Sequence, residues 1–173
     1  ATYTIAALGG IWLNNPNYTV APTASSTSTN NNGLFRMTQG VYNIGLTGAD
    51  GMGGATGAVF IIEGGTINAT RFDPQNAVTF TMTNGTMNIS PTVGNTRSNF
   101  GSFELFSTAS IFNMSGGTIN LIQAATPATP IDWQVRSNTV NITGGTVNVG
   151  TGATVTNFNF RITGTITNMV VDN

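Results

Sequence analysis

One phrase recurs along this chain: two apolar residues separated by one position, a glycine turn, then Thr-apolar-Asn-apolar. It reads VFIIEGGTINAT at 59–70, TFTMTNGTMNIS at 79–90, IFNMSGGTINLI at 111–122 and TVNITGGTVNVG at 139–150. Weaker copies are LFRMTQGVYNIG at 34–45, YTIAALGGIWLN near the start and NFRITGTITN near the end. A fixed phrase with connections of varied length is the pattern of a stacked repeat, in which each copy covers the apolar face of the one before. The copies start about 30, 25, 20, 32, 28 and 20 residues apart, a spread that suits β-strands joined by variable loops and not helical repeats.

Aligned on the turn glycine, the copies resolve into columns, because alternate residues of a strand face the same side. The first core-facing column is Ile5, Phe35, Phe60, Phe80, Phe112, Val140 and Phe160; the second is Ala7, Met37, Ile62, Met82, Met114, Ile142 and Ile162. Beyond the turn come Trp12, Tyr42, Ile67, Met87, Ile119, Val147 and Ile166, then Ile44, Ala69, Ile89, Leu121 and Val149. Between these columns the outward positions are polar, with Thr66, Thr86, Thr118, Thr146 and Thr165 in one row and Asn43, Asn68, Asn88, Asn120 and Asn148 in the next. The paired glycines, with Asn84-Gly85 in their place once, fit a corner that needs positive φ.

The fold expected is all-β: a single-stranded parallel β-helix, or β-solenoid, of about seven coils, forming one domain over residues 1–173. Phe72, Phe103 with Leu105, and Ile131 with Trp133 and Val135 are candidates for a third strand in each coil. The alternative is an antiparallel β-sandwich, since Gly-Gly and Asn-Gly also favour hairpins. Helix content near nil is expected on either reading.

Composition narrows the function. Charged residues make up 6% of the chain and the net charge is −1, so there is no electrostatic attraction for nucleic acid or anionic lipid. No run approaches the roughly 20 apolar residues of a spanning helix, so membrane insertion is not expected. The absence of cysteine removes thiol chemistry, and the absence of histidine removes the commonest metal ligand and general base. Disulfide-free secreted modules point to a bacterial or archaeal source. The chain starts without Met and starts and stops within the repeat, which leads us to expect a processed protein or a segment of a longer one.

Six carboxylates, Asp50, Glu63, Asp73, Glu104, Asp132 and Asp172, fall in different copies, with no two expected in one column of adjacent copies. Enzymes built on β-helices gather such groups on one face, so no catalytic residue, cofactor or metal is expected and the chain reads as non-enzymatic. Arg71 and Asp73 are read as a surface ion pair, and GADGMGGATG at 48–57 as a flexible loop with too few Asp for a calcium roll. Trp12, Tyr42 and Trp133 are assigned inward, leaving Tyr18, Phe72, Phe100 and Phe158 as outward aromatics. Loops 14–33 and 91–101 are candidates for contact with glycans, and the run APTASSTSTNNNG at 21–33 is expected to be mobile.

The outward Thr-x-Asn pairs, Thr66/Asn68, Thr86/Asn88, Thr118/Asn120 and Thr146/Asn148, would stack as a flat grid of hydroxyls and amides. Two readings stand for it. Thr favours strands and stacked Asn side chains bond one another; or the grid, like a flat hydroxyl face, orders water or binds ice or glycan.

The GGTINAT, NGTMNIS, GGTINLI and GGTVNVG copies resemble the "β-strand repeat" regions of large bacterial surface proteins. Such regions occur in autotransporter-like passengers and in gliding adhesins of Bacteroidota, the SprB-like adhesin among them. The resemblance implies an extracellular, cell-surface stalk or filament with an adhesive role. Its implied partners are further coils or identical subunits end to end, and surface glycans. The matching motif is scaffold, so it assigns no binding residue.

Overall fold

The computed structural model describes residues 2–21, 28–45, 47–150 and 157–162. Among them there is no helix, and the strands fall into copies of one plan, a short strand followed by a long or divided one. The first two copies are β1 (Thr2–Ile5), β2 (Gly10–Leu13), β3 (Thr19–Val20) and β4 (Ser28–Asn31), β5 (Leu34–Met37), β6 (Val41–Ile44). Then come β7 (Met52–Gly54) with β8 (Val59–Ala69), and β9 (Thr79–Ile89), preceded by a single bridging residue, Phe72. The remainder are β10 (Phe103–Leu105) with β11 (Ile111–Leu121), β12 (Trp133–Val135) with β13 (Thr139–Val149), and β14 (Phe160–Ile162).

Every pairing between described strands is parallel. This removes the antiparallel sandwich, whose hairpins would pair strands within a copy. The long strands form an eight-stranded sheet in the order β13-β11-β9-β8-β5-β2, with β3 and β6 alongside. The short strands form β1-β4-β7 and β10-β12-β14, linked through Phe72, which bridges Met52 and Phe103. The third-strand candidates Phe103, Leu105, Trp133 and Val135 therefore lie where the sequence suggested.

Copy-to-copy register stacks like on like: Phe60↔Phe80↔Phe112, Ile62↔Met82↔Met114 and Ile67↔Met87↔Ile119. Phe35, Met37, Phe60, Ile62, Phe80, Met82, Phe112 and Met114 are all buried. Phe72, Phe103 and Trp133 approach them from the short-strand side, with Phe72 5.0 Å from Phe60 and Phe103 5.8 Å from Phe80, centroid to centroid. Two aromatic columns thus interlock, and Phe72 is core and not an outward platform. Each such ring contributes about 1.5–3 kcal/mol of burial.

The corner glycines do two jobs. The second one turns the chain at positive φ, as at Gly65 (74°) and Gly117 (81°). The first is set by close stacking of successive corners: a Cβ at Gly64 or Gly116 would stand 2.2 Å from the carbonyl oxygen of Thr38 or Thr83. A register shift marks the corner in the β8–β9 and β11–β13 pairings.

Five column assignments, those of Ile5, Ala7, Trp12, Phe160 and Ile162, differ from expectation. In the first copy Ile11, not Ile5, pairs with Phe35, and Leu13, not Ala7, pairs with Met37. Trp12 consequently pairs with Arg36 on the outward face and is 58% exposed, with the guanidinium 4.9 Å from its ring centroid. Ile5 is buried, but in the short-strand run, and Ala7 is exposed. Phe160 and Ile162 pair with Trp133 and Val135, not with Val140 and Ile142. Finally, Val140 and Ile142 hold the expected register on β13 yet are 40% and 59% exposed, as β13 ends the sheet among the described residues. Thr165 and Ile166 lie outside the described residues.

Candidate functional site

The outward row of the long-strand sheet carries the anticipated amide column. Asn68 Nδ2 donates to Asn43 Oδ1 at 2.7 Å, Asn88 to Asn68 at 2.8 Å, Asn120 to Asn88 at 2.8 Å and Asn148 to Asn120 at 2.9 Å. A second, shorter run links Asn141 to Asn113 at 2.8 Å. In-register stacking of parallel strands places like amides one strand spacing apart, and each interior Asn then spends one N–H and its carbonyl on its neighbours. Thr66, Thr86 and Thr118 are half-buried and Thr146 is exposed beside this column, in mutual register. The Thr-x-Asn grid therefore exists, with its amides already bonded to one another.

A different constellation gathers at the short-strand side, against expectation. Pairing of Met52 with Phe72, Phe72 with Phe103 and Phe103 with Trp133 aligns the residues that follow them: Gly53, Asp73, Glu104 and Gln134. Asp73 and Glu104 thus share one column in adjacent copies. The signal that could have found this is the aromatic in front of each: Phe72-Asp73, Phe103-Glu104, Trp133-Gln134 and Phe160-Arg161.

These charges are buried. Arg71, Asp73, Glu104, Asp50 and Asp132 are 5%, 7%, 0%, 3% and 0% exposed. Arg71 Nη1 donates to Asp73 Oδ2, and Arg71 Nη2 donates to the Ala49 carbonyl at 2.8 Å. This is an interior ion pair, not a surface one. Burial raises the Asp73 carboxyl to about 7, outweighing the guanidinium beside it, and the nearby Glu104 adds to the rise. The Arg71 guanidinium is lowered by the same burial. Removing both charges from water costs each more than their pairing returns.

Glu104 accepts from Gln75 Nε2 at 2.9 Å and from the Gly101 N–H at 3.0 Å, while its Oε1 is buried without a partner. Asp132 accepts from the Ala125 and Asn159 N–H groups at 2.6 and 2.7 Å, and burial still raises its carboxyl. Asp50 accepts from the Thr47 hydroxyl at 2.8 Å, which fixes the glycine-rich loop in place. In the run at 21–33, residues 28–31 form β4, and Thr29 shares a 2.9 Å hydrogen bond with the buried Tyr42 hydroxyl. Glu63 stands apart on the long-strand sheet, paired with Arg36 at 2.6 Å.

The described residues contain no group of three or more His, Cys, Asp or Glu arranged to hold a metal ion. No helix among them is long and apolar enough to cross a membrane. No family model, curated protein or solved structure matches the chain.

Proposed function

We propose that the chain is a stretch of a single-stranded parallel β-helix, one copy to a coil, serving as a stiff non-enzymatic stalk or filament on a bacterial cell surface. The observation that carries this reading is the parallel, in-register pairing of successive copies, which superposes Phe60, Phe80 and Phe112 and likewise Asn68, Asn88 and Asn120. Repeats of this kind derive stability from neighbours and extend without a natural limit in length. The exposed Val140, Ile142, Val147 and Val149 on β13 fit a surface that a further coil, or an identical subunit end to end, would cover. The likeness of the GGT-apolar-Asn phrase to bacterial β-strand repeats supports the same placement outside the cell.

The test is electron cryomicroscopy of the intact source protein. An unbranched rod of constant width is expected, rising about 4.8 Å per copy with each copy closing one turn in cross-section. A compact particle, or a section in which the copies fail to close, would overturn the reading. The competing reading, an ice- or glycan-binding Thr-x-Asn face, is separated by ice-recrystallisation and glycan-array assays on T86A/T118A. A stalk requires that neither readout depend on these threonines.

A further inference from the structure

Beside the buried Arg71–Asp73 pair runs a groove of about 250 Å³, bounded by Asn30, Gly51, Gly53, Arg71, Asp73 and Gln75. It exists because the outward column Asn30, Gly53, Asp73 lacks a side chain at its middle position. A Cβ on Gly53 would meet nothing nearer than Asn30 Oδ1 at 3.8 Å. Asp73 lines the groove beside this gap, with its Oδ1 against Gly51. Only its Oδ2 is held by Arg71; Oδ1 accepts no hydrogen bond among the described residues, although Asp73 is 7% exposed. The point where a Cβ on Gly51 would stand lies 2.7 Å from Asp73 Oδ1 and 3.0 Å from Arg71 Nη2. An acceptor with no hydrogen bond among the described residues and a donor with one N–H to spare therefore lie side by side against Gly51 on the groove wall.

We propose that this groove binds a single pyranose ring through a vicinal pair of hydroxyls. One hydroxyl donates to Asp73 Oδ1 and its neighbour accepts from Arg71 Nη2, a match available because each hydroxyl is both donor and acceptor. Above about pH 7, where Asp73 is ionised, the two charges balance, so an anion meets the carboxylate and a cation meets the guanidinium, whereas a neutral polyol meets neither penalty. The volume lies just below the roughly 300–1,000 Å³ of sites for larger ligands, which suits one ring. The groove is separate from the Thr-x-Asn grid and from loops 91–101, and it does not depend on the stalk reading.

The test is saturation-transfer NMR and titration of the 173-residue chain with the methyl pyranosides of glucose, galactose, mannose and N-acetylglucosamine. Trisaccharides ending in the same sugars and cyclohexanol accompany them. At least one pyranoside binds with a dissociation constant on the order of 1 mM, and cyclohexanol does not. Binding of the matching trisaccharide as well identifies the ligand as a glycan end; binding of the monosaccharide alone identifies a free sugar. Asp73→Asn exchanges the charged acceptor for an amide and weakens binding at least tenfold. Gly53→Phe fills the groove from an open position on β7 and abolishes binding while leaving the buried charges in place, so the test survives if Asp73→Asn misfolds. Absence of binding by every sugar, or binding undiminished in Gly53→Phe, would overturn the proposal.

Discussion

Along the long-strand sheet, Phe60, Phe80 and Phe112 stack in one column and Asn68, Asn88 and Asn120 in another, each residue meeting its own kind. Along the short-strand run, one column holds Asn30, Gly53, Asp73, Glu104 and Gln134, five different residues in five successive copies. The first sheet satisfies its polar groups by repetition. The second satisfies them one at a time, through loop groups such as the Gly101 N–H on Glu104 and the Ala49 carbonyl on Arg71. Repetition stabilises, and departure from it is where chemistry can be placed, because a buried charge needs individually positioned partners.

Mutation can break this contrast at several levels. The largest effect is expected from Phe80→Ala, which empties a fully buried ring site in the repeated core and costs about 3–5 kcal/mol by urea unfolding. Next comes pH, acting on the non-repeating side. Asp73 holds its proton up to about 7 when folded, against 3.8 for a free aspartate, so the folded chain binds the extra proton between those limits. Stability is therefore highest below about pH 4 on this account and falls as pH rises through 7; Asp132, also raised, acts in the same direction. Thermal unfolding should show a higher Tm at pH 5 than at pH 8, a difference on the order of 2 kcal/mol that Asp73→Asn flattens.

Smaller again is Asn88→Ala. It breaks the amide column at two bonds and costs about 1–2 kcal/mol, while Asn148→Ala, which breaks the one bond to Asn120, costs about half as much. Equal losses at the two positions would mean that the column adds nothing beyond isolated surface amides. Least affected is Thr86→Ala on the outward row, expected within about 0.5 kcal/mol of the parent. A loss comparable to that of Phe80→Ala would undo the assignment of faces.

How much of this was legible in the sequence follows the same division. The four strong copies announce their own register, since glycine corner and alternation coincide, and Phe60 to Met114 fall in place without further information. The first copy misled because Gly9-Gly10 imitates the corner glycines but stands at the start of β2, while its real connection, residues 14–18, has none. Phe160 misled because the alternation FRI is the same in a three-residue strand as in the first half of a long one. Ile142 shows a further limit: alternation assigns a side chain to a face, but burial needs a neighbouring strand over it. The gathering of Asp73 with Glu104 escaped because the connections on either side of β9, which lies between them, differ in length from those of other copies, and only the aromatic residue before each sets their register.

The amide column has a direction. Every bond in it runs from the nitrogen of one copy to the oxygen of the copy before, so the Asn43 end is left with N–H groups and the Asn148 end with a carbonyl. The small dipoles add instead of cancelling, and the two ends of the row are chemically unlike. Two segments meeting along it would find their hydrogen bonds matched in only one sense, head to tail, and mismatched in the other.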